Sequence, residues 1–432
     1  MAELFNADLT ISGNTLLLYK GDATLVPHQG PERDGTVVLT LLCAPIGRHI
    51  DVRFRPSTED AVGPFPPSED GRFGPGTSMM RLPRSDAFFV FVTSGGRKSP
   101  IIGESTHIHG GLEVPCEKYE AHLLNALLPA ENTTWDVRDY SVSIERTSAA
   151  YNLTRLSLPK YEINLTHTLT VTRKDNGVCE WNQVKLVLDR LLPFLSFVNC
   201  SPIFAPVING YDAHGLMRSF YFEVPRRRTF PINRRTWATN LTDDCAWAWS
   251  QYLELTESPF WSNVAQRAIE WQTLSESSPS HEQAVFTVQT LLEMLAYVVL
   301  VEDTHVLSED GYSKLPASDR ITLLFGHLGQ DLSLEFLRNR EHKSFCSANS
   351  IENTGQLLAG IRNKLIHPTK KNRDYMDSVP NGLPDVAVDA GIQAASLTLL
   401  KAMRYTGPYF DIFEHELKRV PWRQERIDNS EP

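Results

Sequence analysis

Paired metal ligands are missing from this chain. The six cysteines, Cys43, Cys116, Cys179, Cys200, Cys245 and Cys346, lie far apart and form no CxxC pair. That excludes the usual zinc-finger and ribbon sites and fits reduced thiols in a cytoplasm. There is no GxxxxGK[ST], no GxGxxG after a strand-like run, no HExxH and no GxSxG. P-loop hydrolases, dinucleotide dehydrogenases, zincins and serine esterases are thereby excluded. Residues Met1 to Leu9 carry Glu3 and Asp8 and no apolar run, so no secretory leader is expected. The most continuous apolar run, Leu291 to Val301, contains Glu293 and is short for a bilayer core of about 30 Å, so no membrane insertion is expected. Positive charge is also scarce: 42 Lys and Arg stand against 52 Asp and Glu, a formal charge of -10. This excludes a protein cloaked in positive potential but leaves room for local basic patches.

What is present reads as two fold classes in series. A chain of 432 residues exceeds what one core organises well, and its 41% hydrophobic and 22% charged residues are those of a globular protein. Up to residue 236 the apolar residues alternate. The clearest case is Tyr161 to Thr172, with Tyr161, Ile163, Leu165, Leu169 and Val171 on one parity. Shorter runs at Thr36–Leu42, Asp51–Phe54, Ala87–Thr93, Ser141–Arg146 and Phe220–Val224 predict further strands in a sandwich or barrel-like region. Helical spacing interrupts at Tyr119–Leu128 and Gln183–Phe197, suggesting two lobes divided near residue 135. The Pro/Gly/Ser/Asp-rich stretch from Pro56 to Pro83 predicts a long exposed loop.

After Trp237 the alternation vanishes, and every clear apolar pattern up to Lys418 has helical period. One helix starts at Ser258 and Pro259 and carries Trp261, Val264, Ala265, Ala268 and Ile269 on one face. The next opens on a Ser280/Gln283 capping box and continues through Val285, Val288, Leu292, Leu295 and Val299. Three more are expected near Asp319–Leu328, near Glu352–His367, and over Pro384–Tyr405 with Gly407 as the stop. The expected fold is α+β and multidomain: a β-rich region over 1–236, then an all-α bundle of about five helices over 237–420.

The chemistry concentrates in Gly360-Ile361-Arg362-Asn363-Lys364-Leu365-Ile366-His367-Pro368. Ile361 and Leu365 belong to the apolar stripe. Asn363 and His367, four apart, share a face, and Arg362 sits about 100° round from Asn363. Pro368 disfavours helix at His367, so the imidazole stands at a helix C-terminus, where the dipole favours positive charge and a phosphate is attracted. Cleaving RNA without a metal requires a group that moves protons at the 2′- or 5′-oxygen and a cation for the phosphorane-like transition state. His367 suits the first task. Arg362, with its planar fork, suits the second. Asn363 would orient the imidazole or hold the backbone. Lys364, Lys370, Lys371, Arg373 and Tyr375 could guide a strand by phosphate contact and stacking. Arg226, Arg227, Arg228, Arg234 and Arg235, near Phe230 and Trp237, form the densest positive cluster. They could clamp RNA, or equally form a solvated linker or ion-pair network. His107 and His109 could share a strand face, but no third ligand accompanies them, so no metal site is assigned. His167, on the apolar parity of its strand, reads as a hydrogen-bonded, partly buried residue.

Arg362-Asn363-Lys364-Leu365-Ile366-His367 resembles the R-N-x-x-x-H signature of the HEPN superfamily, including ApeA-type bacterial anti-phage proteins, over roughly residues 245–410. Leu192 to Gly215 resembles, more loosely, the front part of ApeA-like proteins. The resemblance implies an HEPN-type bundle and an endoribonuclease that needs no metal or cofactor and leaves a 2′,3′-cyclic phosphate. It also implies composite sites in a homodimer, a β-rich sensor or regulatory region, and a role in bacterial defence, with a phage-derived trigger or an antitoxin as partner. HEPN members often add a polar residue from an earlier helix; Glu293, on a stripe with Gln289 and Tyr297, is the candidate, with a solvated helix residue as the plain alternative. The rival to the whole reading is a non-catalytic module that binds RNA or a ligand, or dimerises, beside a β region that recognises a phage protein or carbohydrate.

Overall fold

A computed structural model of the chain describes residues 11–12, 15–27, 33–44, 47–56, 77–81, 88–93, 101–105, 107–124, 126, 128, 133–147, 165–223, 243–278, 280–330, 333–367 and 369–422, with side chains chiefly from residue 109 onward. The chain divides into two compact units, one formed by 1–192 with 203–231, the other by 193–202 with 232–432.

The first unit holds two antiparallel sheets. Strands β1 (Ile11–Ser12), β2 (Thr15–Pro27), β3 (Arg33–Ala44), β4 (Gly47–Pro56), β5 (Thr77–Arg81), β6 (Phe88–Thr93) and β7 (Ile101–Ser105) run in the order β1-β2-β3-β4-β7-β6-β5. β5 pairs back onto β2 through Thr24↔Arg81 and Pro27↔Ser78, so the sheet closes on itself. Closure removes exposed edges and matches the barrel-like expectation. Strand β5 lies inside the stretch expected to be loop, so Pro56–Pro83 is not loop throughout: Met79 and Met80 pair with both β2 and β6.

The second sheet comprises β8 (His107–Gly110), β9 (Lys118–Leu124), β10 (Thr133–Val137), β11 (Tyr140–Arg146), β12 (Leu165–Arg173), β13 (Phe204–Tyr211) and β14 (Met217–Glu223), in the order β10-β11-β12-β9-β13-β14-β8. Alternation works as expected along β11 and β12. Val142 pairs with Val171 and Ile144 with Leu169 on the buried face, while Ser143 and Thr170 take the other. Helix α1 (Trp181–Asn199) lays Trp181 against Tyr119 and Tyr221, with ring centres 5.8 and 5.1 Å apart.

Two expectations fail here. Tyr119–Leu128 does not form a helix: Lys118–Leu124 is β9, a central strand bonded on both sides to β12 and β13. The division near residue 135 falls inside β10, and the change of sheet comes at 106, between β7 and β8. Tyr161 and Ile163 lie outside the described residues; the strand there spans Leu165–Arg173.

The second unit is helical: α2 (Asp243–Leu255), α3 (Pro259–Glu276), α4 (His281–Tyr297), α5 (Glu309–Ser313), α6 (Ala317–Leu328), α7 (Arg340–Ala348), α8 (Thr354–Ile366), α9 (Lys370–Ser378) and α10 (Leu383–Ala402). Helix α4 is the hub, packing against α3, α6, α8 and α10. Its Val285, Val288, Leu291, Leu292 and Leu295 are fully buried. At Gly391 of α10 the backbone comes so close that a β-carbon would sit 2.6 Å from Val288 Cγ2. The Ser280 cap forms as read, accepting from Gln283 N at 3.2 Å. α4 runs on through a π turn, Val298–Asp303. The apolar run is therefore longer than expected: 281–303 is long and apolar enough to cross a membrane by length and composition, and 67% of its most apolar stretch is buried within the protein.

Helices α2, α5, α7 and α9 add to the five expected. α10 stops at Ala402, not at Gly407, because Arg404 takes the left-handed conformation (φ 57°) and Tyr405 N turns back to Leu400 O. A hairpin follows, β15 (Pro408–Asp411) with β16 (Glu416–Arg419), where helical period had been read up to Lys418.

Candidate functional site

The motif helix α8 is set by its two ends. Asn353 caps it, accepting from Gln356 N at 2.9 Å, and Leu357, Leu358 and Ile361 bury its inner face. It ends at Ile366, and His367 (φ −115°, ψ 81°) has left the helix. The His367 carbonyl is held by Thr369 N at 2.7 Å and by the Asn372 side chain at 2.6 Å. Thr369 in turn caps α9. The residue between two helices is thus fixed through its backbone while its imidazole is exposed and makes no hydrogen bond among the described residues. Pro368 lies outside the described residues.

Arg362 is half-buried. Its Nη1 donates to Asn363 Oδ1 at 3.2 Å, and its guanidinium carbon sits 5.5 Å from the centre of the Phe286 ring on α4. Asn363, expected to orient the imidazole, instead holds Arg362. On the other flank, Lys364 Nζ lies 5.4 Å from the centre of the Tyr375 ring, which meets Phe345 edge-on at 5.4 Å. Lys370, Lys371 and Arg373 are exposed on α9, among Asp374 and Asp377. Arg226, Arg227, Arg228, Arg234 and Arg235 lie outside the described residues.

Glu293 is neither solvated nor free. Its Oε1 accepts from Gln289 Nε2 at 2.8 Å, and its Oε2 is 3.5 Å from Arg320 Nη1 on α6, with both side chains about three-quarters buried. Arg320 lies over the Tyr312 ring at 4.7 Å and donates to Ser313 O, while the Tyr312 hydroxyl donates to Glu293 O. Burial pushes the Tyr312 phenol up to about 12. The contacts of Glu293 are with Gln289 and Arg320, not with Arg362 or His367.

Phe286, Gln289, Glu293 and Tyr297 recur at helical spacing and form one stripe along α4. Arg362 lies at its Phe286 end and Arg320 farther along. Three buried atoms here, Arg362 Nε, Arg320 Nε and Gln289 Oε1, find no hydrogen-bond partner among the described residues. Buried polar atoms are seldom left so, and each of these positions suits a bound water. Phe286 and Arg320 were not anticipated from the sequence. Phe286 stands seven residues before Glu293, so the stripe that suggested Glu293 could have been extended to it.

Outside this unit, His109 is exposed and stacks on Tyr221 with ring centres 6.4 Å apart. His167 is fully rather than partly buried, at 1% exposed, and among the described residues no side-chain hydrogen bond satisfies either ring nitrogen. Burial, with a smaller push from the Arg146 charge and against a weak pull from the Leu128 backbone, holds it down at about 4. Cys116 and Cys179, distant in sequence, face each other across a backbone bridge as free buried thiols.

A family model described as the YopA C-terminal domain matches residues 258–422, from the Ser258 cap to Trp422 and including the whole motif. The SPbeta prophage-derived uncharacterized protein YopA of Bacillus subtilis (strain 168) is 25% identical over 266 residues, 60% of this chain and 58% of that protein. The chain therefore spans less than two thirds of that relative. No solved structure matches.

Proposed function

We propose that the helical unit is a metal-independent endoribonuclease of HEPN type, acting on RNA in bacterial defence. The observation that carries this reading is the end of α8: an arginine held by Asn363, and an exposed imidazole on a backbone pinned by Asn372. His367 moves the proton at the 2′-hydroxyl or the leaving 5′-oxygen, and Arg362 stabilises the charge gathering on the phosphoryl oxygens. Lys364, Lys370, Lys371 and Arg373 draw in the phosphate backbone, within a chain too acidic for indiscriminate nucleic-acid binding. Glu293 serves indirectly, by holding Arg320. Two copies of the chain bring two such ridges together into the working site. A prophage-borne relative suits a role in conflict between phage and host. The test is to incubate the purified chain with total RNA and probe the new 3′ ends: 2′,3′-cyclic phosphates are expected, and intact RNA in both the presence and absence of a phage lysate contradicts the proposal.

A second reading has its own observation. Arg362 is occupied by Asn363 and Phe286, and no contact joins it to His367. A non-catalytic RNA- or ligand-binding module would tolerate that arrangement, and it is recognised by affinity for RNA without turnover.

A further inference from the structure

Asn363 and His367 form a ridge flanked by two rings. Stepping back one residue from Asn363 turns about 100° one way round α8, to Arg362 on Phe286; stepping forward one turns as far the other way, to Lys364 on Tyr375. Each ring thus has a cation against it, and the two cation–ring pairs stand on opposite flanks of α8, to either side of Asn363. Phe286 is 44% exposed, a large apolar ring left in solvent on an otherwise well-packed helix. A cation resting on an aromatic face holds by roughly 0.5–1 kcal/mol where water reaches it and by about 2 kcal/mol where, as at the buried Nε of Arg362, water is excluded, against roughly 1–3 kcal/mol for a base stacked on the same face. That is weak enough to be replaced by a base.

We propose that Phe286 and Tyr375 stack two bases of an unpaired stretch of RNA whose backbone passes over the ridge between them. Each base takes the ring face now covered by a cation. Arg362 and Lys364, released, turn to the phosphates between and beside the bases, leaving a phosphodiester over His367. A base in a duplex offers neither of its faces, so paired RNA is excluded by the geometry of the rings and not by sequence. This rests on the nuclease reading for its purpose, but not for its test.

The test measures binding of a short single-stranded RNA made uncleavable by 2′-fluoro substitution, using fluorescence anisotropy with the His367→Ala chain. Phe286→Leu keeps apolar volume and removes the π face; Phe286→Trp keeps it. Base–aromatic stacking predicts affinity about 5- to 100-fold weaker for Phe286→Leu and for Tyr375→Leu, near-unchanged affinity for Phe286→Trp, and weak binding of the same strand in a duplex. Equal affinity of the leucine variants, no measurable binding by the parent chain, or equal affinity for duplex overturns the inference. Tight binding with these losses, alongside absent cleavage by the wild-type chain, would retain the stacking platforms and remove only the nuclease reading.

Discussion

Arg362 reaches across from the motif helix to lie 5.5 Å from the centre of the Phe286 ring on the hub helix α4. The guanidinium that the chemistry requires is thereby tied to the hub helix of the unit, whose Val288, Leu291, Leu292 and Leu295 are fully buried. That contact holds the guanidinium on a rigid element until substrate takes the ring face, and the released cation then settles on the phosphate, where small displacements from the reacting oxygens are costly.

Glu293 and Arg320 join α4 to α6 by a pair at 3.5 Å, each side chain about three-quarters buried. Glu293→Ala and Arg320→Ala are each expected to destabilise the chain by about 1–2 kcal/mol, and the double variant by less than the sum, because one contact is removed twice. Urea unfolding measures this. RNA cleavage by the single variants should stay within about tenfold of wild type, far from the loss expected for a proton-transfer group. A loss for Glu293→Ala equal to that for His367→Ala would make the carboxylate an acid–base group after all.

The two helix caps read alike in sequence and differ in structure. Ser280 accepts from Gln283 N, whereas Ser258 stands at the N-cap of α3 with no side-chain bond. Ser280→Ala should cost about 1 kcal/mol and Ser258→Ala only a few tenths, by denaturant midpoint at constant slope. Equal costs would mean that Ser258 caps α3 in solution.

His167 gives the first unit an acid sensitivity whose sign follows from burial. Its pKa lies near 4 in the folded protein, against 6.5 as the ordinary value. The unfolded chain therefore takes up a proton first, and stability that is present above pH 6.5 drains away as pH falls toward 4, by about 3 kcal/mol in full. His122, lowered by burial against the pull of Glu120, acts in the same direction. His167→Phe should flatten the fall in unfolding free energy between pH 7.5 and 4.5; an unchanged slope would place the titration elsewhere.

Much of this was legible in the residues. Alternation found β11 and β12 because one face of the sheet is buried and the other carries Ser and Thr. Caps and apolar stripes found α3, α4, α6, α8 and α10. Strand β9 was misread because Lys, Glu, Ala and Leu favour helix in isolation, and only pairing with β12 and β13 makes Lys118–Leu124 extended. Helices α7 and α9 are nine residues each, and α9 buries no residue fully, so their patterns are too short to stand out. The ridge itself was readable from Arg362 to His367, since a proline after His367 in the sequence disfavours helix at that residue, and the helix ends at Ile366. Its partner Phe286, and Arg320 as the partner of Glu293, were not, because contacts between residues 76 and 27 positions apart leave no period in either helix.

The most direct measurement is single-turnover cleavage of a single-stranded RNA by the purified chain in EDTA, with wild type beside His367→Ala and Arg362→Ala. The account predicts cleavage by wild type, undiminished by EDTA and ending in 2′,3′-cyclic phosphate. It also predicts losses of about 10² to 10⁴ in both variants with their folding intact. Wild-type cleavage that EDTA abolishes, or that both variants retain in full, would contradict it.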